Sequence, residues 1–160
     1  RLGVKYRQIF IDEFQDTSLL QWKNLIPLLD NAISSTNSSI LLVGDVKQSI
    51  YRWRGSYPEQ FIDLTKGITP FHIDPEVIRL PKNYRSQDTI VKTNNTFFKE
   101  SADVLSSPDY QNLFKKGANQ ETNNNPGGAV TFTFVEGFTN EEREPNYLEA
   151  IIQQLFDCLE

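Results

Sequence analysis

The sequence predicts an α/β fold built around a parallel sheet, and three observations support that prediction. Two short apolar runs, residues 9–11 and 40–43, each end abruptly in a polar turn, as strands covered on both faces of a parallel sheet do. A helical segment opened by the capping-box pair Ser18 and Gln21 lies between them. Strand, helix and strand at this spacing are typical of a βαβ unit.

The other elements are predicted from the same periodicities and from turn residues. Pro27 interrupts the apolar stripe of the first helix and should kink or shorten that helix. In chain order, we then expect a helix at 59–65, a short strand at 77–80, a helix capped by Ser86, a polar loop at 101–128, an alternating strand at 130–135, and a helix after Pro145.

Composition limits the classes of function open to the chain. The net charge of −5 provides no overall basic surface, so any contact with nucleic acid must rest on particular residues. No apolar run is long enough to span a membrane, and we expect no membrane partner. Cys158, the only cysteine, is expected in the core and favours a reducing, cytoplasmic setting. The single His72 is expected at the surface and does not indicate a zinc site.

Two adjacent carboxylates, Asp12 and Glu13, follow the first apolar strand directly. Open α/β sheets bind ligands at the carboxyl ends of their strands, and these two side chains point in different directions. One carboxylate can hold a magnesium ion while the other addresses a water beside a terminal phosphate. The alternative is a solvated acidic loop in which Asp16 caps a helix.

A second group of functional side chains follows the strand at 40–43. Gly44 permits a sharp turn, and Gln48 can donate to a phosphate oxygen or orient a water. Two aromatic rings then alternate with two guanidinium groups. This combination suits single-stranded nucleic acid, because bases stack on the rings while arginines meet the backbone. Alternatively, the rings belong to the core and the arginines extend to solvent. The four residues are Tyr51, Arg52, Trp53 and Arg54.

A third candidate group lies at the entrance of the helix expected after Ser86. Arg85 there is suited to address a phosphate, and Tyr84 offers a flat face for a purine. Taken alone, the same residues also fit an ordinary capped start of a helix.

In order and spacing, the three segments resemble the superfamily-one DNA helicases of the UvrD/RecB type. IDEFQDTS at 11–18 is similar to their motif II, VGDVKQSIYRWRG at 43–55 to motif III, and LPKNYRS at 80–86 to motif IV. Lys47 is closer to the RecB/AddA exonuclease V branch than to UvrD itself, where an acidic residue is usual.

The resemblance implies a partial RecA-like parallel sheet of the P-loop NTPase type in residues 1–66. A connection at 67–82 and the start of a second RecA-like domain at 83–160 would follow. The phosphate-loop pattern G-x-x-x-x-G-K-[ST] does not occur, and the chain starts at Arg1 without any methionine. We therefore expect a piece of a longer protein that does not hydrolyse ATP alone.

The resemblance also implies a role for each site residue in ATP-driven translocation on single-stranded DNA. Expected cofactors are ATP and Mg²⁺; expected partners are single-stranded DNA, duplex ends and subunits of a helicase-nuclease complex. The implied roles are Asp12 for the metal, Glu13 as general base, Gln48 as γ-phosphate sensor, Tyr84 for adenine, Arg85 as arginine finger, and Tyr51, Arg52, Trp53 and Arg54 for DNA.

Two other classes of function remain open from the sequence. One is an ATPase-derived module that has lost catalysis and only binds DNA or a protein partner. The intact residues that argue against it are Asp12, Glu13, Gln48 and Arg85. The other is an ATPase unrelated to DNA, against which the alternating aromatic and arginine residues argue.

Overall fold

The fold begins with a two-stranded parallel sheet, β1 at Gln8–Ile11 and β2 at Ser39–Leu42. The computed structural model describes residues 6–137 and 139–159. Residues 1–5 of the predicted first domain, and residues 138 and 160 of the predicted second domain, lie outside the described ranges. The register places Gln8 opposite Ser39 and Ile11 opposite Leu42. The predicted βαβ unit is confirmed, with β2 beginning one residue earlier than expected.

Helices account for most of the remaining regular structure. Short 3-10 turns stand where the chain leaves each strand, where the second candidate segment ends, and directly after the helix that ends at Ser101. These turns span Phe14–Asp16, Val46–Gln48, Arg52–Arg54 and Ala102–Val104. The helices are α1 at Leu19–Ile33, α2 at Glu59–Thr65, α3 at Asp88–Ser101, α4 at Pro108–Gly117 and α5 at Asn140–Asp157.

The capping box at the start of α1 is confirmed. Ser18 Oγ accepts a hydrogen bond from Gln21 N at 3.2 Å, and Gln21 Oε1 accepts one from Ser18 N at 2.8 Å. Both bonds satisfy backbone donors that a helix start would otherwise leave unpaired. The helix continues through Pro27 to Ile33, so the expectation that Pro27 would shorten it is wrong.

A cluster of apolar side chains joins α1, α2 and the sheet into one core. Phe14 and Leu29 are fully buried, and Phe14 meets Trp22 edge-to-face with ring centroids 4.9 Å apart. The strands are covered on one face only, contrary to expectation, because Ile9 and Ile11 pack on this core whereas Phe10 is 70% exposed.

Several predicted elements in the second half of the chain are wrong. Helix α4 and a 3-10 turn occupy part of the expected loop at 101–128. In the described part of the chain, 77–80 and 130–135 are not strands, because a strand requires a hydrogen-bonded partner strand and none lies beside either segment. Helix α3 begins at Asp88, so Ser86 is not its N-cap.

Two side chains outside the candidate site have different outcomes. Cys158 is exposed, so its expected place in the core is wrong; the apolar stripe of α5 beside it is largely exposed as well. His72 is confirmed at the surface, with its Nδ1 3.8 Å from Asp30 Oδ1.

The described residues form two compact units. One contains the residues up to Pro81 together with Phe98–Asn119, and the other contains Lys82–Phe97 and the residues from Gln120 onward. The predicted domain limits at 66 and 83 stay a prediction. Among the described helices, none is both long and apolar enough to cross a membrane.

Candidate functional site

The two predicted carboxylates lie where β1 ends, in the first unit. Asp12 and Glu13 are both exposed, and Asp12 Oδ1 accepts a hydrogen bond from Glu13 N at 2.8 Å. Glu13 has φ 48° and ψ 41°, the left-handed region that non-glycine residues rarely adopt. Such a conformation persists only where the surroundings fix it, and Phe14, the next residue, is held in the core.

Gln15 is a site residue that sequence reasoning missed. Its side chain is 1% exposed and bridges the two motifs. Gln15 Nε2 donates to Glu13 Oε2 at 2.7 Å, and Gln15 Oε1 accepts from Asp45 N at 3.0 Å. Because one amide satisfies both partners, the position of the Glu13 carboxylate is tied to the turn after β2. The amide lies inside IDEFQDTS, but its partner 30 residues away could not be read from sequence.

The turn after β2 approaches this amide too closely for any side chain at Gly44. A Cβ there would lie 2.6 Å from Gln15 Oε1 and 3.2 Å from Phe14 N. The backbones of the two strand ends are joined as well, since Phe14 N donates to Val43 O at 2.9 Å. Gly44 is therefore required by close packing of the two motifs, and not only by the sharpness of the turn.

Asp45 organises the short turn that carries Gln48. Its Oδ1 accepts from Lys47 Nζ at 2.6 Å and from Lys47 N at 3.1 Å, while its Oδ2 accepts from Gln48 Nε2 at 3.0 Å. Burial raises the pKa of Asp45, but the hydrogen bond and charge of Lys47, together with Gln48, lower it further, so the net shift is downward. The predicted phosphate sensor Gln48 is thus held by a carboxylate that stays ionised.

The two aromatic rings of the second segment form an exposed turn together with one arginine. Tyr51 and Trp53 have ring centroids 6.4 Å apart, and the guanidinium of Arg54 lies 5.6 Å from each of them. Trp53 is 78% exposed, so it does not belong to the core of this unit. Gly55 closes the turn with φ 87°, a value that suits glycine.

Arg52, predicted as a DNA contact, is engaged with other residues of the chain. Its Nη2 donates to Glu59 Oε1 and to the hydroxyl of Tyr110. Its guanidinium lies 5.6 Å from the centre of the Tyr110 ring. Neither partner was identified from the sequence, and Tyr110 lies in a helix that the sequence did not predict.

A second connection joins IDEFQDTS at 11–18 to the segment that follows residues 51–55, which we call the aromatic turn. Thr17 O accepts hydrogen bonds from Tyr57 N at 3.1 Å and from Gln60 Nε2 at 2.9 Å. Gln60 is 5% exposed, so this connection is buried. The aromatic turn is therefore bracketed by two attachments to IDEFQDTS, one through Gln15 and one through Thr17.

The third candidate segment belongs to the second unit, where Asn83 shapes it. Asn83 Oδ1 accepts from Arg85 N at 2.9 Å and from Ser86 N at 2.8 Å, while its Nδ2 donates to Gln120 Oε1 at 2.8 Å. Asn83 therefore holds the turn before α3, the task expected of Ser86.

Tyr84 and Arg85 are presented on the outside of this turn. Tyr84 is 73% exposed, with Lys82 Nζ 5.7 Å from the centre of its ring. Arg85 is exposed as well. Both side chains are accessible, and their roles toward adenine and phosphate stay predictions.

The residues present fit a magnesium ion held jointly with a phosphate. Magnesium in phosphate-transferring sites is bound through one or two carboxylates, and the remaining ligands are waters and substrate oxygens. Asp12 supplies one exposed carboxylate at the end of β1, and its hydrogen bond to Glu13 N uses only Oδ1. Among the described residues, no group of three or more acidic, histidine or cysteine side chains could hold a metal alone.

Comparison with known proteins supplies the family. Residues 1–69 match the model of the UvrD/REP helicase N-terminal domain. The chain is 36% identical over 127 residues, 78% of its length, to an ATP-dependent helicase/nuclease subunit of Carboxydothermus hydrogenoformans. It is 34% identical over 97 residues, 60% of its length, to the protein of the same name from Bacillus pumilus.

A further relative has another name. DNA helicase II of Haemophilus influenzae is 33% identical over 117 residues, 73% of this chain. The chain spans only part of these three relatives, 10%, 8% and 14% of their lengths respectively. These similarities agree with the motifs at 11–18, 43–55 and 80–86. The chain belongs to the UvrD/RecB type of helicases, with residues 1–69 matching their N-terminal domain.

Proposed function

We propose that the chain is the part of an ATP-driven DNA helicase that connects the site of ATP hydrolysis to a binding site for single-stranded DNA. The relatives are named helicases, and two of them are named helicase/nuclease subunits. The proposed reaction of the whole protein is ATP hydrolysis coupled to translocation along one DNA strand. The chain by itself supplies only some of the groups that this reaction needs.

On the nucleotide side, each residue contributes a fixed charge, a donor or an acceptor. Glu13 accepts the proton of the attacking water, because its exposed carboxylate stands beside Asp12 at the end of β1 and is positioned there by Gln15 Nε2. Asp12 holds the magnesium ion, which when bound neutralises phosphate charge. Arg85 stabilises the charge that develops on the transferred phosphoryl group, Gln48 contacts the γ-phosphate, and Tyr84 stacks on adenine.

The hydrogen-bonded path from Glu13 through Gln15 to Asp45 is the observation that carries the proposal. It joins the carboxylate proposed for catalysis to the turn that holds Gln48, over contacts of 2.7 and 3.0 Å. The aromatic turn begins three residues after Gln48. Under this proposal, a change at the phosphate end reaches the DNA-binding turn through these part-buried hydrogen bonds.

On the DNA side, the exposed rings of Tyr51 and Trp53 are suited to stack on bases. Stacking on an aromatic side chain contributes about 1–3 kcal/mol per base and tolerates any sequence, as a translocating enzyme needs. Arg54 supports both rings and remains near the surface to meet the DNA backbone. This local arrangement allows DNA binding by a chain whose net charge is −5.

The names of the relatives also suggest a setting for the proposed enzyme. Two of the relatives are called helicase/nuclease subunits, so we propose duplex DNA ends as substrate and a partner subunit in a helicase-nuclease complex. A cytoplasmic location accords with the exposed free thiol of Cys158, which a reducing compartment would keep unpaired.

The proposal is tested by Glu13→Gln in the full-length protein that contains this sequence. The amide keeps the shape of the side chain but does not accept a proton from water. We expect ATP turnover to fall by about 100-fold or more, while binding of a fluorescent ATP analogue stays near that of the unchanged protein. The control is Glu76→Gln, which alters an exposed carboxylate outside the motifs.

Each result decides between the enzyme and the module without catalysis. Turnover in the unchanged protein that Glu13→Gln abolishes and Glu76→Gln preserves supports the helicase. Turnover that survives Glu13→Gln removes Glu13 from its role. ATP-independent DNA binding by an unchanged protein without any turnover favours the binding module.

A further inference from the structure

We propose that Arg52 is a positioning residue that anchors the aromatic turn to helices α2 and α4, and that it is not a ligand of DNA. The inference rests on the proposed DNA-binding role of Trp53 in the same turn. It changes the role that the sequence pattern gave to Arg52, and it adds Glu59 and Tyr110 to the residues on which DNA binding depends.

The geometry at Arg52 engages one end of its guanidinium, Nη2, with two groups of the chain, while the side chain as a whole is 53% exposed. Nη2 donates both to Glu59 Oε1 and to the Tyr110 hydroxyl, and the guanidinium also faces the Tyr110 ring at 5.6 Å. The Tyr110 hydroxyl in turn donates to Glu59 Oε1 at 3.2 Å. Because all three groups contact one another, displacing Arg52 toward a phosphate would break several interactions together.

Glu59 depends on Arg52 for compensation of its charge. Its side chain is 30% exposed, and its second oxygen, Oε2, is buried without a hydrogen-bond partner among the described residues. Burial raises the pKa of Glu59, yet the hydrogen bond from Arg52 and its charge reverse the shift, so the pKa is lowered. Moving Arg52 onto DNA would leave a partly buried carboxylate without its positively charged partner, which is unfavourable.

The two helices that receive Arg52 are linked to each other at a second point. Glu59 begins α2 and Tyr110 lies in the first turn of α4. After the other end of α2, Lys66 Nζ lies 2.8 Å from Asp109 Oδ1, again in the first turn of α4. The anchor of Arg52 therefore lies on two helices that an exposed ion pair also connects.

Arg54 provides the contrast within the same turn. Its guanidinium lies over the rings of Tyr51 and Trp53, and none of the carboxylates that the structure describes is within ion-pair distance of it. Arg54 is therefore the arginine of this segment that is available to a phosphate. The two arginines differ in surroundings although they are two residues apart, which provides a matched pair for experiment.

The sign of the effect of Glu59→Gln separates the two roles of Arg52. The variant is made in the full-length protein, and the Kd for a fluorescent oligothymidylate is measured at several salt concentrations. If Arg52 positions the turn, losing its partner loosens the turn and binding weakens by about fivefold, the scale of one ion pair near the surface. If Arg52 binds phosphate, removing a competing negative charge strengthens binding instead.

The salt dependence of Arg52→Ala and Arg54→Ala provides a second, independent measurement. A cation that neutralises one phosphate of a single strand contributes about 0.7 to the slope of log Kd against log salt. We expect Arg54→Ala to reduce the slope by about that amount and Arg52→Ala to weaken binding with an unchanged slope. Tyr110→Phe, which keeps the ring, should weaken binding at unchanged slope and melting temperature, whereas a purely structural role would lower the melting temperature alone.

The outcomes are distinguishable from failure of the proposed function. Weaker binding in Glu59→Gln and Tyr110→Phe, with the slope altered only by Arg54→Ala, supports the positioning role. Tighter binding in Glu59→Gln, or a reduced slope in Arg52→Ala, overturns it while the proposed DNA site stands. If Trp53→Ala leaves the Kd unchanged, the DNA site itself is wrong and the positioning role falls with it.

Discussion

Among single residues, Asp45 gives the site a dependence on pH. Its pKa is lowered because Lys47 and Gln48 outweigh the effect of burial. A carboxyl group whose pKa is lower in the folded state stabilises that state above its unfolded pKa, near 3.8. That contribution is lost as the pH falls from there through the lower folded pKa. Acid conditions should therefore destabilise the turn that holds Gln48.

Asp45→Asn tests this dependence, because the amide cannot ionise. At neutral pH, the unchanged protein should have a higher melting temperature than the variant. The difference between the two melting temperatures should shrink near pH 3. Asp74→Asn, at an exposed loop position, is the control and should leave the difference near zero at both pH values. A difference for Asp45→Asn that stays constant from neutral pH to pH 3 contradicts the assignment.

The exposure of Trp53 argues against the alternative that its ring belongs to the core. With its side chain 78% exposed, Trp53→Ala should leave the melting temperature nearly unchanged. Affinity for single-stranded DNA should fall by about 1–3 kcal/mol. Trp22→Ala is the matched control, since Trp22 is 6% exposed and packs on Phe14; it should cost about 3–5 kcal/mol of stability. A large loss of stability in Trp53→Ala at unchanged affinity would show a core residue instead.

At the scale of elements, the junction between β2 and its following turn is the most constrained. Gly44→Ala would bring a Cβ 2.6 Å from Gln15 Oε1 and 3.2 Å from Phe14 N, so the Gln15 amide would have to leave its hydrogen bonds to Glu13 and Asp45. We expect a loss of about 1–3 kcal/mol in the free energy of unfolding and a weaker Glu13 to Asp45 connection. Gly117→Ala is the control, because its Cβ would meet only Leu113 at an ordinary 3.5 Å. Equal stability of the two variants would contradict the close approach.

The predictable helices are those whose ends carry local signals. Ser18 and Gln21 predicted the start of α1, and the structure confirms their capping box. Helix α4 was missed because its sequence is polar, although Ser107, Pro108 and Asp109 form a typical helix start. Helix α5 begins before Pro145 because Thr139 and Glu142 make a capping box.

The strands show the limit of reading periodicity. Both confirmed strands are apolar runs. They pair directly with each other, and α1 connects them along the chain. The segments at 77–80 and 130–135 have strand-like composition, but composition does not supply the partner that a strand requires. Phe134, for example, is 92% exposed, and Phe132 stacks on Phe97 of α3 with ring centroids 6.4 Å apart. Whether 83–160 begins a second RecA-like domain stays a prediction.

Over the whole molecule, the sequence indicated candidate functional side chains but not the contacts that organise them. The resemblance assigned Asp12, Glu13 and Gln48 to the nucleotide and the aromatic turn to DNA, and the structure places all of them in a single unit. Gln15, which joins the two motifs, has a partner that only the folded chain reveals. Such distant partners follow from how strands and helices pack, which local patterns do not encode.

The proposed communication between hydrolysis and DNA binding runs through Gln15, and Gln15→Leu in the full-length protein tests it. Leucine keeps the volume but leaves Glu13 Oε2 and Asp45 N without their shared partner. The most direct measurement is the ratio of ATP turnover with and without saturating single-stranded DNA, taken alongside the DNA Kd. We predict a ratio well above one in the unchanged protein and a ratio near one in Gln15→Leu at similar Kd. An undiminished ratio in the variant, or no stimulation in the unchanged protein, would contradict the claim.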